Sequence, residues 1–246
     1  MKNLADPEDA ERAGQYWIER AETTTGALAV VPNGARHRRY HEWTQRLQKR
    51  WVRSRLDRSR YRRVVDLGCG HGDWLELFAP HADELHACDV APGFVAATRS
   101  RLAAIDHRAW RVDCADIRQY TIPRGFELAH LGGVLTYLTD LWALRTLRRV
   151  RDAAAPGALV IVRDYCTFNL GGRSVNHATG YSVHRSPREI VELGESVGLE
   201  CIESRSSPSI YAEVMGNAVT RWPLWLGWRL GTLHWLRASH MFVFRA

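Results

Sequence analysis

Nine residues, Val64 to Gly72 (VVDLGCGHG), constrain this chain more than any other stretch of it. Apolar Val64-Val65 leads into an acid, Asp66, and glycines follow at alternate positions, Gly68, Gly70 and Gly72. An apolar helix start comes next, with Trp74, Leu75, Leu77 and Phe78 on its inner side. Glycines in such a loop let the backbone turn tightly and lie against a ligand with no Cβ in the way. The helix behind them offers N–H groups that have no intrahelical partner. The spacing therefore predicts a strand–loop–helix unit of a ligand-binding α/β sheet.

Spacing also separates the two common versions of that unit. A dinucleotide loop places its third glycine three residues after the second. Counted from Gly68 that position is Asp73, so this chain has G-x-G-x-G instead, which conflicts with an NAD-dependent oxidoreductase. The next apolar run, Leu85 to Val90, carries Asp89 near its end, 21 residues after Gly68. A carboxylate at that place matches the paired hydroxyls of a ribose. A third strand, 109–113, leads to Asp116-Ile117. A fourth, 126–131, opens into Gly132-Gly133, with a helix from about Thr139. Pro156-Gly157 then turns the chain into a fifth strand, 158–163. Strands at 199–205 and 240–244 close the series.

In this order the motifs resemble those of the class I S-adenosylmethionine-dependent methyltransferases, over residues 60–206 and the closing strand. The resemblance implies an α/β fold: a seven-stranded, mostly parallel Rossmann-like sheet with helices on both faces. It implies a single domain, with residues 1–60 as a helical cap, 61–206 and 239–246 as the core, and 207–238 as a helical, Trp-rich insertion before the last strand. The implied cofactor is S-adenosylmethionine, leaving as S-adenosylhomocysteine. Its expected site is Asp66, Gly68, Cys69 and Gly70 at the first loop, Asp89 and Val90 at the ribose, Asp116 and Ile117 at the adenine, and Leu131 and Gly132 after the fourth strand. Asp6-Pro7 reads as an N-cap followed by proline at the first helical position. In the resembled family such a helix covers the cofactor, which would bring Tyr16 or Arg20 to the methionine carboxylate. Alternatively, Tyr16 and Trp17 only pack the helix down.

Methyl transfer from a sulfonium mainly requires alignment of acceptor, methyl and sulfur. A base is needed where a hydroxyl acceptor must lose its proton, and an amine only has to be bound neutral. Candidates come from the segments expected to face the methyl. These are Tyr137 after the fourth strand and the stretch Asp164 to Arg185, read as a long loop with a task. Its His177 and His184 are the candidate bases. Tyr165, Tyr181 and Arg185 are the candidate acceptor-site residues, and Arg163 or Arg185 orients an acidic acceptor or makes a salt bridge. After it, Ser186-Pro187-Arg188-Glu189 has the form of a capping box. The reading is an enzyme that methylates O, N or C of a small molecule, of the kind made in secondary metabolism or hydrophobic and aromatic in character. A DNA amino-methyltransferase lacks support, because no Asp/Asn-Pro-Pro run follows the fourth strand. A cytosine C5 enzyme lacks the Pro-Cys it would need. A non-catalytic module is disfavoured, because the glycines and both acids, Asp89 and Asp116, are intact.

Charge leaves two alternatives open. The chain carries a formal +7, yet residues 36–63 hold 12 Lys/Arg against Glu42 and Asp57, a local +10, so the remainder is −3. Tyr40, Trp43, Leu47 and Trp51 recur at helical spacing in that segment, which reads as an amphipathic helix with a solvated basic face. An RNA methyltransferase would use that face instead. In the insertion, Trp222, Trp225, Trp228 and Trp235 among leucines read in three ways: a helix on the core or a dimer partner, a wall of the acceptor pocket, or a membrane-surface helix serving a lipid-like acceptor. Five scattered cysteines without a C-x-x-C pair argue for a reduced, cytoplasmic protein and against a metal site. No signal peptide or transmembrane run is visible. A monomer or a homodimer is expected, with nucleic acid an unlikely partner.

Overall fold

The computed structural model describes residues 7–23, 38–56, 60–105, 109–166, 174–176, 181–207 and 238–246. Two helices lead the chain, α1 (Pro7–Thr23) and α2 (Arg38–Arg53). Five strands follow: β1 (Tyr61–Leu67), β2 (Ala82–Asp89), β3 (Trp110–Cys114), β4 (Phe126–Gly132) and β5 (Ala154–Cys166). Between them lie α3 (Leu75–Phe78), α4 (Pro92–Ala104) and α5 (Asp140–Ala153). A small hairpin of β6 (Ser174–Asn176) and β7 (Ser182–His184) precedes α6 (Pro187–Glu195). Two long strands end the chain, β8 (Glu200–Ser207) and β9 (Ala238–Arg245).

The main sheet has seven strands in the order β3-β2-β1-β4-β5-β9-β8. From β3 to β5 all neighbours are parallel, and β9 runs antiparallel to both β5 and β8. Both faces are buried at the centre, so successive residues are buried together in β1 (Val64, Val65), β4 (Leu128, Ala129) and β5 (Ala158 to Val162), rather than alternating. Even-numbered residues of β5 (Val160, Val162) pack with Phe242 and Phe244 on one side. Leu159 and Ile161 pack with Met241 and Val243 on the other, under Trp51, Val52 and Trp74. Strand order reverses between β1 and β4, and open α/β sheets bind ligands in the crevice at that switch point.

Several elements differ from the sequence reading, for local physical reasons. The basic helix stops at Arg53, and Tyr61 to Arg63 already belong to β1, where Tyr61 is fully buried opposite Ala82. The helix expected after the glycine loop is a single turn, α3, although Trp74, Leu75, Leu77 and Phe78 are all buried as expected. Pro156-Gly157 lies within β5, at an irregularity where Leu128 of β4 meets Leu159 after Phe126 has met Ala154. The stretch expected as one long loop is partly strand: β5 extends to Cys166, and the β6–β7 hairpin fills part of the rest. Ser186 does cap α6, with the reciprocal Glu189 bond of a capping box. Asp6 and the Trp-rich insertion, with Trp222, Trp225, Trp228 and Trp235, lie outside the described residues.

Candidate active site

The glycine loop is built around backbone conformations that only glycine adopts freely. Gly68 has φ +75°, Gly70 +55° and Gly72 +83°. A Cβ on Gly68 would also collide with the Val134 side chain, which arrives from the end of β4. The loop is tied to β2: the N–H groups of Gly68 and Cys69 both donate to the Cys88 carbonyl, at 2.9 and 3.0 Å. Asp66 lies beneath the loop, 1% exposed, with its Oδ1 2.8 Å from Nδ1 of His130 on β4. The His130 ring packs at a tilt against Trp74, 4.6 Å between centroids, and a Cβ on Gly132 would come within 2.6 Å of it. Gly132 is thus required by a close approach of a buried ring.

Asp89 sits at the end of β2 with its carboxylate facing the same crevice. Its two oxygens accept from the backbone N–H groups of Gly70 (2.9 Å) and Ala91 (3.0 Å). Burial pushes its pKa up to about 6 against the pull of those two hydrogen bonds. Each oxygen still has lone-pair capacity for a hydroxyl donor. Beyond β3, Asp116 is closed by its own neighbour: Arg118 donates from its backbone N–H to one oxygen and from its guanidinium to the other.

One cleft joins these parts and runs along the carboxyl ends of β3, β2, β1, β4 and β5 to Ser239 on β9. Gly68, Gly70, Asp89, Val90, Asp116, Ile117 and Gly132 all line it. Helix α1 lies over it through Ala13, Gly14 and Trp17, and Trp17 packs edge-on against Tyr137 at 5.0 Å. The β5–β9 end is walled by Tyr137, Arg163 and Tyr165, and by Thr44, Gln45 and Gln48 of α2. Gln48 Nε2 donates to Ser239 Oγ at 3.1 Å, which joins α2 to the sheet across the cleft. Burial holds the Tyr137 phenol well above its usual pKa, so it stays protonated at working pH. Among the described residues no cluster of three metal-ligating side chains occurs, and no helix is long and apolar enough to cross a membrane.

The chain is similar to known proteins in sequence and in fold. A model of the methyltransferase domain matches residues 65–160. Nodulation protein S of Sinorhizobium fredii (strain NBRC 101917 / NGR234) is 33% identical over 174 residues, which is 67% of this chain and 79% of that protein. The chain belongs to the class I S-adenosylmethionine-dependent methyltransferases. Among solved structures, a SAM-dependent methyltransferase of Leishmania major superposes with a TM-score of 0.73 at 15% identity, covering 99% of this chain and 87% of that one. The N-methyltransferase NodS of Bradyrhizobium japonicum WM9, in complex with S-adenosylhomocysteine, gives 0.62 at 16% identity, covering 95% and 98%. The residues present fit the family's cofactor, S-adenosylmethionine: Gly68 and Gly70 line the cleft without a side chain, and Asp89 lines it beside them.

The methyltransferase cleft does not gather every residue expected from sequence. Asp66, Cys69 and Leu131 are buried behind its wall rather than on it. Tyr16 lies against Trp17, and it is Ala13, Gly14 and Trp17 of α1, not Tyr16 or Arg20, that face the cleft. Tyr181 is buried with Ala13 and Val183 behind Tyr137. Arg185 is 1% exposed; its guanidinium binds Asp140 and the carbonyls of Leu135 and Leu138, so it anchors the start of α5. Asp164, on the opposite face of β5 from Arg163, is buried with its pKa pushed to about 7, Arg185 partly offsetting the burial. His184 sits on β7 away from the cleft, and His177 lies outside the described residues. Sequence reasoning missed Thr44, Gln45, Gln48 and Ser239. The available signal was Thr44 and Gln48, polar residues one turn apart within the stripe that also holds Leu47 and Trp51.

Proposed function

We propose that this methyltransferase transfers the methyl of S-adenosylmethionine to an amine nitrogen of a small molecule. In this reading Asp89 accepts from the ribose hydroxyls, and Ile117 packs on the adenine. The Gly68–Gly70 backbone and Gly132 flank the methionine portion, and Tyr137 and Tyr165 face the acceptor. The cofactor supplies an already activated methyl on a sulfonium, so the chain's task is to align the nucleophile and keep water out. The observation that carries the choice of nitrogen is the lining of the acceptor end: among the described residues it holds no histidine, aspartate or glutamate, and its titratable acids are phenols, Tyr137 among them. Such a group orients a nucleophile by hydrogen bonding but does not take its proton at neutral pH. A neutral amine already presents its lone pair, whereas a hydroxyl acceptor needs a base. The 33% identity to nodulation protein S, together with the N-methyltransferase activity stated for NodS, supports the same choice.

Tyr137→Phe tests the reading with a panel of primary amines, phenols and alcohols and methyl-labelled cofactor. Label is expected on amines, and the loss of one orienting hydrogen bond is expected to lower turnover about tenfold. A pH profile that follows the acceptor amine's own ionisation is also expected. Label transfer to phenols or alcohols alone would sink the nitrogen assignment.

A further inference from the structure

The far end of the cleft holds an arginine that makes no ion pair among the described residues. Arg163 lines it, and among the described residues its side chain has no hydrogen-bond or ion-pair partner. Its guanidinium instead rests over the buried Trp74 ring, 5.6 Å from the centroid. Cations of α2 and the segment after it are engaged: Arg55 binds Glu203 and Lys49 reaches Asp73 at 3.6 Å. A guanidinium whose Nε is buried and unpaired is unfavourable unless an anion completes it.

A second observation points at the same place. Thr44 is 8% exposed, lines the cleft, and among the described residues its Oγ1 has no partner; Oε1 of its neighbour Gln45 is likewise unmatched there. Buried polar atoms of this kind are normally satisfied, and here their residues line a ligand cavity. The acid beside Arg163 in sequence does not fill the need. Asp164 projects to the other face of β5 and accepts from the Tyr165 N–H. Position assigns the ligand to the acceptor rather than the cofactor. Arg163 stands on β5, one strand beyond Gly132, and the cleft continues past it to Ser239 on β9. In the reading above, the cofactor's anchors run from Asp116 only as far as Gly132.

We propose that Arg163, Thr44 and Gln45 form a subsite for an oxyanion, a carboxylate or phosphate, carried by the acceptor on the side remote from its nucleophile. The inference rests on the cleft being the cofactor and acceptor site. Arg163 makes charge-assisted bonds with the anion while Trp74 supports the back of its plane, and Thr44 donates its hydroxyl.

The test uses the full chain saturated with S-adenosylhomocysteine and titrated with benzoate, phenyl phosphate and neutral benzyl alcohol, followed by ligand-observed NMR. At least one of the two anions is expected to bind, and which one does distinguishes carboxylate from phosphate recognition. Arg163→Met, which keeps an apolar stem on Trp74, should weaken that anion tenfold or more and leave benzyl alcohol unchanged. Thr44→Val should weaken it severalfold, which keeps the proposal falsifiable should Arg163→Met fail to fold. In parallel, S-adenosylhomocysteine and 5′-methylthioadenosine, which lacks the amino-acid portion, should each bind wild type and Arg163→Met within twofold. If Arg163→Met loses S-adenosylhomocysteine affinity but not that of methylthioadenosine, Arg163 serves the cofactor's own carboxylate and the proposal is overturned. Anions that do not bind, or that bind both variants equally well, overturn it too. Failure of wild type to bind S-adenosylhomocysteine would remove the underlying reading of the cleft itself, a separate result.

Discussion

The two halves of the cleft are built from different materials. The half over β1, β2 and β3 is made by backbone: three glycines with positive φ, the amides of Gly70 and Ala91 fixing Asp89, and an acid at each strand end. The half over β5 and β9 is made by side chains that come from distant parts of the chain, Thr44 and Gln48 of α2, Tyr137, Arg163, Tyr165 and Ser239. A backbone site has one solution and so recurs across a family. A side-chain site changes with each substitution and can follow the acceptor. This division predicts that damage in the first half appears in folding and cofactor affinity, and damage in the second half in acceptor use.

The sharpest way to break the comparison is Gly68→Ala. A left-handed conformation costs a non-glycine residue about 1–2 kcal/mol, and overpacking against Val134 adds about 1–3 kcal/mol. Chemical denaturation should show that loss, and calorimetry should show little binding of S-adenosylhomocysteine. Adding Val134→Ala should recover the packing part but not the conformational part. A Gly68→Ala protein of wild-type stability and affinity would mean that the loop is not held by its backbone.

Asp89 carries the next largest effect. Removing two charged hydrogen bonds in Asp89→Ala should weaken S-adenosylhomocysteine by about 2–4 kcal/mol, roughly 30- to 700-fold. The pKa raised to about 6 sets the pH dependence. The ionised carboxylate accepts hydroxyls more strongly than the protonated form, so affinity is greatest from about one unit above pH 6 and falls below that, by at most about tenfold per pH unit. Asp89→Asn should flatten that slope. Asp116→Ala should cost less, because Arg118 already occupies both Asp116 oxygens.

Asp164 is the acceptor half's buried acid, and its effect is expected in stability rather than binding. Its folded pKa of about 7 exceeds the ordinary 3.8, so between those values the folded state holds more protons and stability falls as pH rises. Asp164→Asn removes that dependence while its Oδ1 can still accept from Tyr165. It should therefore gain stability at pH 8 relative to pH 4, by no more than about 4 kcal/mol. Thermal melts at the two pH values check the sign, and an Asn variant that loses stability at pH 8 would show that Arg185 needs the charge.

How much could be read from sequence follows the same division. The glycine spacing, Asp89 and the succession of strands along the chain were legible because each is a local pattern with a backbone cause. Leu131 and Cys69 carry the right spacing but turn their side chains into the core, and spacing alone does not reveal direction. Arg185 and Tyr181 belong to the right segment, yet they are buried behind the wall, since the segment folds into the β6–β7 hairpin rather than an open loop. Thr44 and Gln48 left a trace in the sequence, a polar break in an apolar stripe, but not their role. Their role depends on α2 crossing the end of β9, a contact separated by 191 residues between Gln48 and Ser239. On the sequence alone they look like interruptions in an apolar stripe.

The same helix supplies the smallest expected effect and the finest test of the comparison. Arg46, Arg50 and Arg53 are exposed on α2, on the side away from Thr44 and Gln48. Reversing all three to Glu takes the local charge of residues 36–63 from +10 to +4, since three reversals change it by 6. The rest of that segment's charge is already partly matched by core acids: Arg55 with Glu203, Arg60 with Asp83 and Arg63 with Glu84. Exposed charges are well solvated and screened, so each reversal should change stability by no more than about 0.5 kcal/mol. The melting temperature should therefore move by only a few degrees, and S-adenosylhomocysteine affinity should stay within about twofold. An RNA acceptor predicts otherwise. Three fewer phosphate-facing cations, replaced by anions, would cut affinity for a short RNA hairpin steeply and flatten its salt dependence. Unchanged cofactor binding with a collapse of RNA affinity or of turnover would move the acceptor surface from the inner face of α2 to its outer one. The side-chain half of the cleft would then no longer be the place where the acceptor is chosen.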